Sequence, residues 1–475
     1  MIHSRAGLLA IALAVASCAT PPSTASAPAQ APAVPPTIVA LPTATPTDLQ
    51  PTAPVPSGEA DLIYFNGHIL TMEADRPVAE ALAIAGDRIL AVGSLLEMLP
   101  FRTSQTQVID LRGLTLTPGF IDSHAHRIGD RWHFGDASAE AMTAKALREG
   151  WTTIYELFVT PERLQELQNL AQANALPLRV STYLTMNYEY DANSWWEAYQ
   201  PLQSFGPYLQ IAGLKITLDR EWGEQVFFDQ GHLDQMVQQA HDEGWQVAVH
   251  SFSPRANERI LNAFEKALDG GPNEPYRFRI EHLGVMTDAQ VQKMARLGII
   301  GSVQFINASS WVEDASFLQY IPAEEVQHSA RWRDLLNAGV FLIANTDDPW
   351  CCTDWRHNFA GPSYEATVVQ AIYQGVTRTT FAGRPPEEWQ RAQAVTPEEA
   401  LEMLTIDGAY AGHLEAVLGS LQPGKYADLV ILSANPVTTA MEEIPQITVV
   451  MTMVGGDVKY CSAGYDSICQ AAGSP

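Results

Sequence analysis

The chain has 475 residues, 46% of them hydrophobic, with 54 Asp and Glu against 28 Lys and Arg and a formal net charge of −26. That length allows one large or two medium domains with a real core. The acidic balance argues against nucleic acid as a partner, because its phosphates would be repelled, and fits a solvated acidic surface.

Arg5 precedes a mostly apolar run from Ala6 to Ala16, too short to span a bilayer as a helix. The run ends in Val15-Ala16-Ser17-Cys18, which resembles a bacterial lipoprotein signal. The resemblance implies a signal segment over 1–18, lipidation of Cys18, and an exported cell-envelope protein held to the membrane by lipid alone. Secretion with cleavage nearby is the alternative. From Ala19 to Gly58 eleven of forty residues are proline and Asp48 is the sole charge, so a disordered, extended stalk is expected over 19–58. Cys461 and Cys469, close together near the C-terminus, are a candidate disulfide. Cys351-Cys352 is a vicinal pair whose bridging would be strained.

The fold is expected to begin near Ala60. Asp61 to Met72 has apolar residues on both sides of Asn66-Gly67 and reads as a hairpin. A second hairpin runs Ala81–Ala85, Gly86-Asp87, Arg88–Val92, and Val108–Leu111 is a further short strand. Leu116 to His126 reads as one buried strand that delivers two histidines at its end. Strands then alternate with helices. Strands are expected at Thr152–Phe158, Arg179–Met186, Ile211–Leu218, Trp245–His250, Phe278–His282, Ile299–Gln304 and Phe341–Thr346. Helices are expected at Pro161–Ala173, Leu233–Glu243, Pro254–Leu268, Asp288–Leu297 and Glu324–Ala338. Eight strands with helices between them predict an α/β fold, a (β/α)8 TIM barrel with its site at the C-terminal strand ends.

The chemistry-bearing residues fall at those ends. His124 and His126 close the first strand, His250 the fifth and His282 the sixth, and Asp347 follows the eighth. Each alone has an ordinary structural explanation. Together they form a transition-metal ligand set. Lys215 shares a face with Gly213, Thr217 and Asp219, opposite Leu214, Ile216 and Leu218, so it points into the barrel, where an isolated ammonium is costly. His133, Glu156, Tyr183, Asn187 and Trp311 lie at or after strand ends and are candidates to line a substrate pocket. The remaining histidines are read as structural or surface residues.

Pro118-Gly119-Phe120-Ile121-Asp122-Ser123-His124-Ala125-His126, Arg279-Ile280-Glu281-His282, Thr346-Asp347-Asp348-Pro349 and the closing Gly419-to-Val430 stretch together resemble the amidohydrolase superfamily of metal-dependent hydrolases, most nearly its family 3 branch. The resemblance covers about Ala60 to Val458. It implies a small β-sandwich built from 59–115 and 415–460, a barrel over 116–414, and a C-terminal tail over 461–475. It implies that His124, His126, His250, His282 and Asp347 hold one or two divalent metal ions, zinc above all, with Lys215 N-carboxylated between them. Asp347 would also be the general base, acting on water that zinc brings to a pKa near ~7.

Two departures keep substrate preference from being carried over. The segment after His126 is short, and the loop Ser251-Phe252-Ser253-Pro254-Arg255 stands where a glycine-aspartate pattern is expected. The function these features imply is hydrolysis of a non-peptide C–N bond in a small linear or cyclic amide. A mononuclear deaminase is the nearest rival, and a non-catalytic ligand-binding lipoprotein is the rival of another class.

Overall fold

The computed structural model describes residues 58–130, 137–188, 191–192, 194–306, 308–313, 315–350, 365–380 and 383–469. Cys18, the stalk to residue 57, His133 and Cys351-Cys352 lie outside the described residues.

The chain opens with β1 (Leu62–Leu70), β2 (Val78–Ala85), β3 (Arg88–Gly93), β4 (Gln107–Asp110) and β5 (Thr115–Pro118). Eight strands follow: β6 (Phe120–Ala125), β7 (Trp151–Val159), β8 (Arg179–Thr185), β9 (Leu209–Thr217), β10 (Val247–Ser251), β11 (Arg279–His282), β12 (Ile300–Gln304) and β13 (Leu342–Asn345). They pair in parallel and in chain order. The two outer strands meet where the Asp347 N–H donates to the His124 carbonyl at 2.9 Å. The Thr346 N–H and hydroxyl both donate to the Asp122 carboxylate there, at 2.9 and 2.6 Å. The result is the eight-stranded α/β barrel expected from the alternation.

β14 (Leu429–Leu432), β15 (Val449–Val454) and β16 (Asp457–Cys461) return to the first sheet, whose order is β16-β15-β14-β5-β1-β2-β3 with β4 beside β1. This composite sheet has its own apolar core, which includes Leu62, Tyr64, Ile84, Leu429, Ile431 and Met451. A disulfide joins Cys461 at the end of β16 to Cys469.

Leu214, Ile216 and Leu218 pack into the large layer between strands and helices, and Lys215 faces inward, 2% exposed. Period-two alternation produces this, since neighbouring strand residues point to opposite sides.

Three expectations are corrected. Asn66-Gly67 is not a hairpin turn: β1 runs through it with an irregularity, Asn66 at φ 57°. Its amide donates to Asp110, and a Cβ on Gly67 would meet the Leu114 carbonyl at 2.7 Å. The kink lets β1 change partner, from β4 along Leu62–Phe65 to β5 at His68 and Ile69. Leu116–His126 is not one strand but two, so the barrel begins at Phe120 rather than Leu116. Gly119 is the crossing point: its N–H binds the Asp428 carbonyl, and a Cβ would strike the Thr152 hydroxyl. Glu324–Ala338 is not one helix but a 3-10 turn (Ala323–His328) and an α-helix (Trp332–Asn337). They are split where Ser329 bridges to Val285 and Ala330 takes φ 46°. A helix at Ala139–Glu149, capped by the Ser138 side chain and ended by Gly150 at φ 98°, was not foreseen.

Candidate metal centre

His124 is the last-but-one residue of β6 and is 1% exposed. Its Nδ1 lies 2.7 Å from Glu281 Oε2. That carboxylate requires a proton on Nδ1, which leaves Nε2 as a lone pair facing the barrel mouth. Glu281 is itself fixed by Arg279, whose Nε and Nη2 donate to its two oxygens at 2.5 and 2.9 Å. Arg279 Nη2 also reaches the Ser123 carbonyl at 2.7 Å. Burial pushes the Glu281 carboxyl up, but Arg279 and Lys215 outweigh it and hold it below its ordinary value.

His126 Nε2 approaches His124 Nε2 to 3.1 Å, and each lies 3.5 Å from Asp347 Oδ1. Donor atoms of His124, His126 and Asp347 all fall within 4.8 Å of one another. The His282 ring centroid is 4.9 Å from that of His124 and 4.5 Å from that of His250. Along β11, Arg279 and Glu281 point inward while Ile280 packs in the outer apolar layer. Alternation would therefore send His282 outward. Its φ of 68° turns it back to the mouth, and Asp347 reaches the same place at φ 58°. Such backbone is uncommon outside glycine, and residues that adopt it gather at functional sites.

Burial is the leading influence on six groups here. It holds His124, His250 and His282 well below the ordinary histidine value and His126 near about 4. It lifts Asp347 well above the carboxylate range, against the pull of Lys215. It lowers Lys215 to about 8. The Lys215 Nζ is buried with no hydrogen-bond partner. The two imidazole nitrogens of His124 and His126 and the Asp347 carboxylate, all within 4.8 Å of one another, fit a divalent cation.

The structure does not bring the pocket candidates together. Tyr183 is fully buried low in the barrel, with its hydroxyl on Gln246 and Arg279, among Ile121, Tyr155 and Leu418; it is core, not pocket. Asn187 is fully buried and spends its amide on the backbone of Thr217, joining β8 to β9. Glu156 accepts from the N–H groups of Ile128 and Gly129 at 2.8 and 3.1 Å and braces the turn after His126. Trp311 lies on the site's apolar side, 7% exposed. Arg127 was missed: it donates to Glu149 at 2.5 Å and to Asp348 at 2.9 Å, beneath the His126 turn. Phe252 was noticed as a departure but not as part of the site; its ring stacks on His282 with centroids 4.7 Å apart.

Residues 136–460 match the model of the amidohydrolase family. The chain belongs to the amidohydrolase family. Within it, an N-substituted formamide deformylase of Arthrobacter pascens is 29% identical over 240 residues, half of this chain but 41% of that protein. An imidazolonepropionase of Alkaliphilus metalliredigens is 25% identical over 74% of this chain and 83% of its own. The fold superposes on an uncharacterized metal-dependent hydrolase from Pyrococcus horikoshii with a TM-score of 0.64 and 18% identity, covering 80% of this chain and 99% of that one. The family match begins beyond His126, so the role of the first two histidines rests on the geometry above. As a family member the chain is a metal-dependent hydrolase, and the His124-His126-Asp347 cluster could bind the ion.

Proposed function

We propose that this amidohydrolase cleaves a non-peptide C–N bond, a linear or cyclic amide of a small molecule, with zinc held by His124, His126, His250, His282 and Asp347. The observation that carries the reading is the cluster of His124, His126 and Asp347 donor atoms within 4.8 Å of one another, with the His282 and His250 rings next to it and the Lys215 amine buried without a hydrogen-bond partner. The names of the two relatives, a formamide deformylase and an imidazolonepropionase, support C–N chemistry.

Two ions are the reading preferred, with Lys215 as its N-carboxylate between them. Burial favours the neutral amine of Lys215, the form that adds carbon dioxide, and the anion so formed would end its isolation in the barrel. The metal would supply Lewis acidity to a water and to the substrate carbonyl. Asp347 lies beside both histidine Nε2 atoms and has a raised proton affinity. It takes the proton of the attacking water and passes it to the leaving nitrogen. Glu281 keeps the proton on His124 Nδ1 so that Nε2 stays a ligand.

Elemental analysis of the purified domain tests this. About two ions per chain, one or both lost in Lys215→Ala and in no other lysine variant, is the expected result. Asp347→Asn should lower kcat on any amide turned over by about 10²- to 10⁴-fold; unchanged turnover would refute its role. A one-metal deaminase is favoured by one observation, that His124, His126 and Asp347 alone form the tight cluster among the described residues. About one ion per chain, indifferent to Lys215→Ala, would select it.

The enzyme would work at the cell envelope, anchored through Cys18 with residues 19–58 as its stalk, as the Val15-Ala16-Ser17-Cys18 pattern suggests. A Cys18→Ala protein that stayed in the membrane fraction would sink that idea.

A further inference from the structure

The two sides of the mouth differ in chemistry. On one side lie His126, Asp347 and Asp130, whose carboxylate sits 3.5 Å from His126 Nδ1. The other side is aromatic. Phe252, partly exposed just past the end of β10, stacks on His282 and meets His250 edge-on at 4.7 Å. Behind it, Trp222 and Trp311 approach its ring to 4.5 and 5.6 Å and each other to 5.3 Å, and Phe317 closes on Trp222 at 4.8 Å. Trp222 holds this position at φ 60°, a conformation that a bulky residue rarely adopts.

Resting on the amide-hydrolase reading, we infer that Phe252, backed by Trp222 and Trp311, is the specificity wall of the site and receives an apolar, aromatic substituent of the substrate. One ring would suffice to hold His282 in place. The connected group of four, opening to solvent through Phe252 beside the ligand histidines, offers a face on which a phenyl group gains area and edge-to-face contacts. A polar substituent laid there would leave water without hydrogen bonds to replace it. The polar side with Asp347 is then left for the scissile carbonyl and nitrogen. The wall thus sets both substrate class and orientation.

The test compares two ligands with one metal-binding head, benzohydroxamate and acetohydroxamate, on the metal-loaded protein by titration calorimetry. The wild type should bind the benzo ligand about tenfold tighter or more, the scale expected for burying a ring. Phe252→Ala, compared at matched metal content, should bring that ratio below about threefold, with benzohydroxamate losing more affinity than acetohydroxamate. Phe252→Leu, which keeps apolar volume against His282, should fall between, and it carries the test if the alanine variant does not fold. Equal affinities in the wild type, or a preference that survives both variants, would overturn the inference. So would loss of metal and of both ligands alike in both variants, which would reduce Phe252 to a support for His282. Metal content and amide turnover on the same preparation report the underlying hydrolase reading separately.

Discussion

A histidine serves as a ligand in one tautomer only, and in His124 that choice belongs to Glu281. Arg279 holds Glu281 through both oxygens, so Glu281→Gln, nearly the same shape, should weaken metal binding about 10- to 100-fold. Competition against a chelator measures it. At the other end of the barrel, His413 is held to about 3, by burial first and then by Arg277. An unfolded chain has this group near ~6.5. Between those values the unfolded state binds a proton that the fold refuses, so stability falls as pH drops below the upper one. His413→Asn, which tolerates the φ of 57° there, should lose less stability than the wild type between pH 7 and 4, read from urea midpoints. The candidate donors and their order at the strand ends were legible residue by residue, because strand ends are marked by where apolar alternation stops. Glu281 as the orienting group was not, since nothing in a linear motif tells which nitrogen of a distant histidine it will face.

Elements carry the site through a buried charge cluster. Arg127, fully buried, ties the turn after His126 to Glu149 on the Ala139–Glu149 helix and to Asp348 after β13, and Lys145 reaches the same two carboxylates. The backbone follows: the His126 N–H donates to the Asp348 carbonyl at 2.9 Å. Arg127→Met would leave Glu149 and Asp348 to Lys145 alone and should cost about 1–3 kcal/mol, checked by chemical unfolding. That helix was not among the elements expected from the sequence. Its Ser138 cap and Gly150 stop were the available signals. The Asn66-Gly67 kink failed for another reason: the same residues suit a two-residue hairpin turn or a bulge, and what selects the bulge is the change of partner from β4 to β5.

At the scale of the whole molecule, one contact set joins the composite sheet to the barrel. Arg179, at the start of β8, binds both oxygens of Asp428 at 2.7 and 2.9 Å and lies over the ring of Tyr426. Asp428 also accepts from the Gly455 N–H and offers its carbonyl to Gly119. Arg179→Ala should destabilise the fold by about 3 kcal/mol or more, with Asp428 left buried and unpaired. Unfolding followed by fluorescence and by circular dichroism would show it.

The sequence by itself determined the alternation of strands and helices, the inward face of β9 with Lys215, and the placing of His124, His126, His250, His282 and Asp347 at strand ends. All of these follow from local periodicity, which each segment carries alone. Tertiary structure decided the rest. It cut 116–126 at Gly119, where backbone must pass against Thr152. It turned His282 and Asp347 inward through left-handed backbone, and sank Tyr183 into the core while raising Phe252 beside His250 and His282. These outcomes depend on which surfaces meet across the barrel, and residues 100 or more apart in sequence meet through closure of the sheet, a constraint no single segment contains.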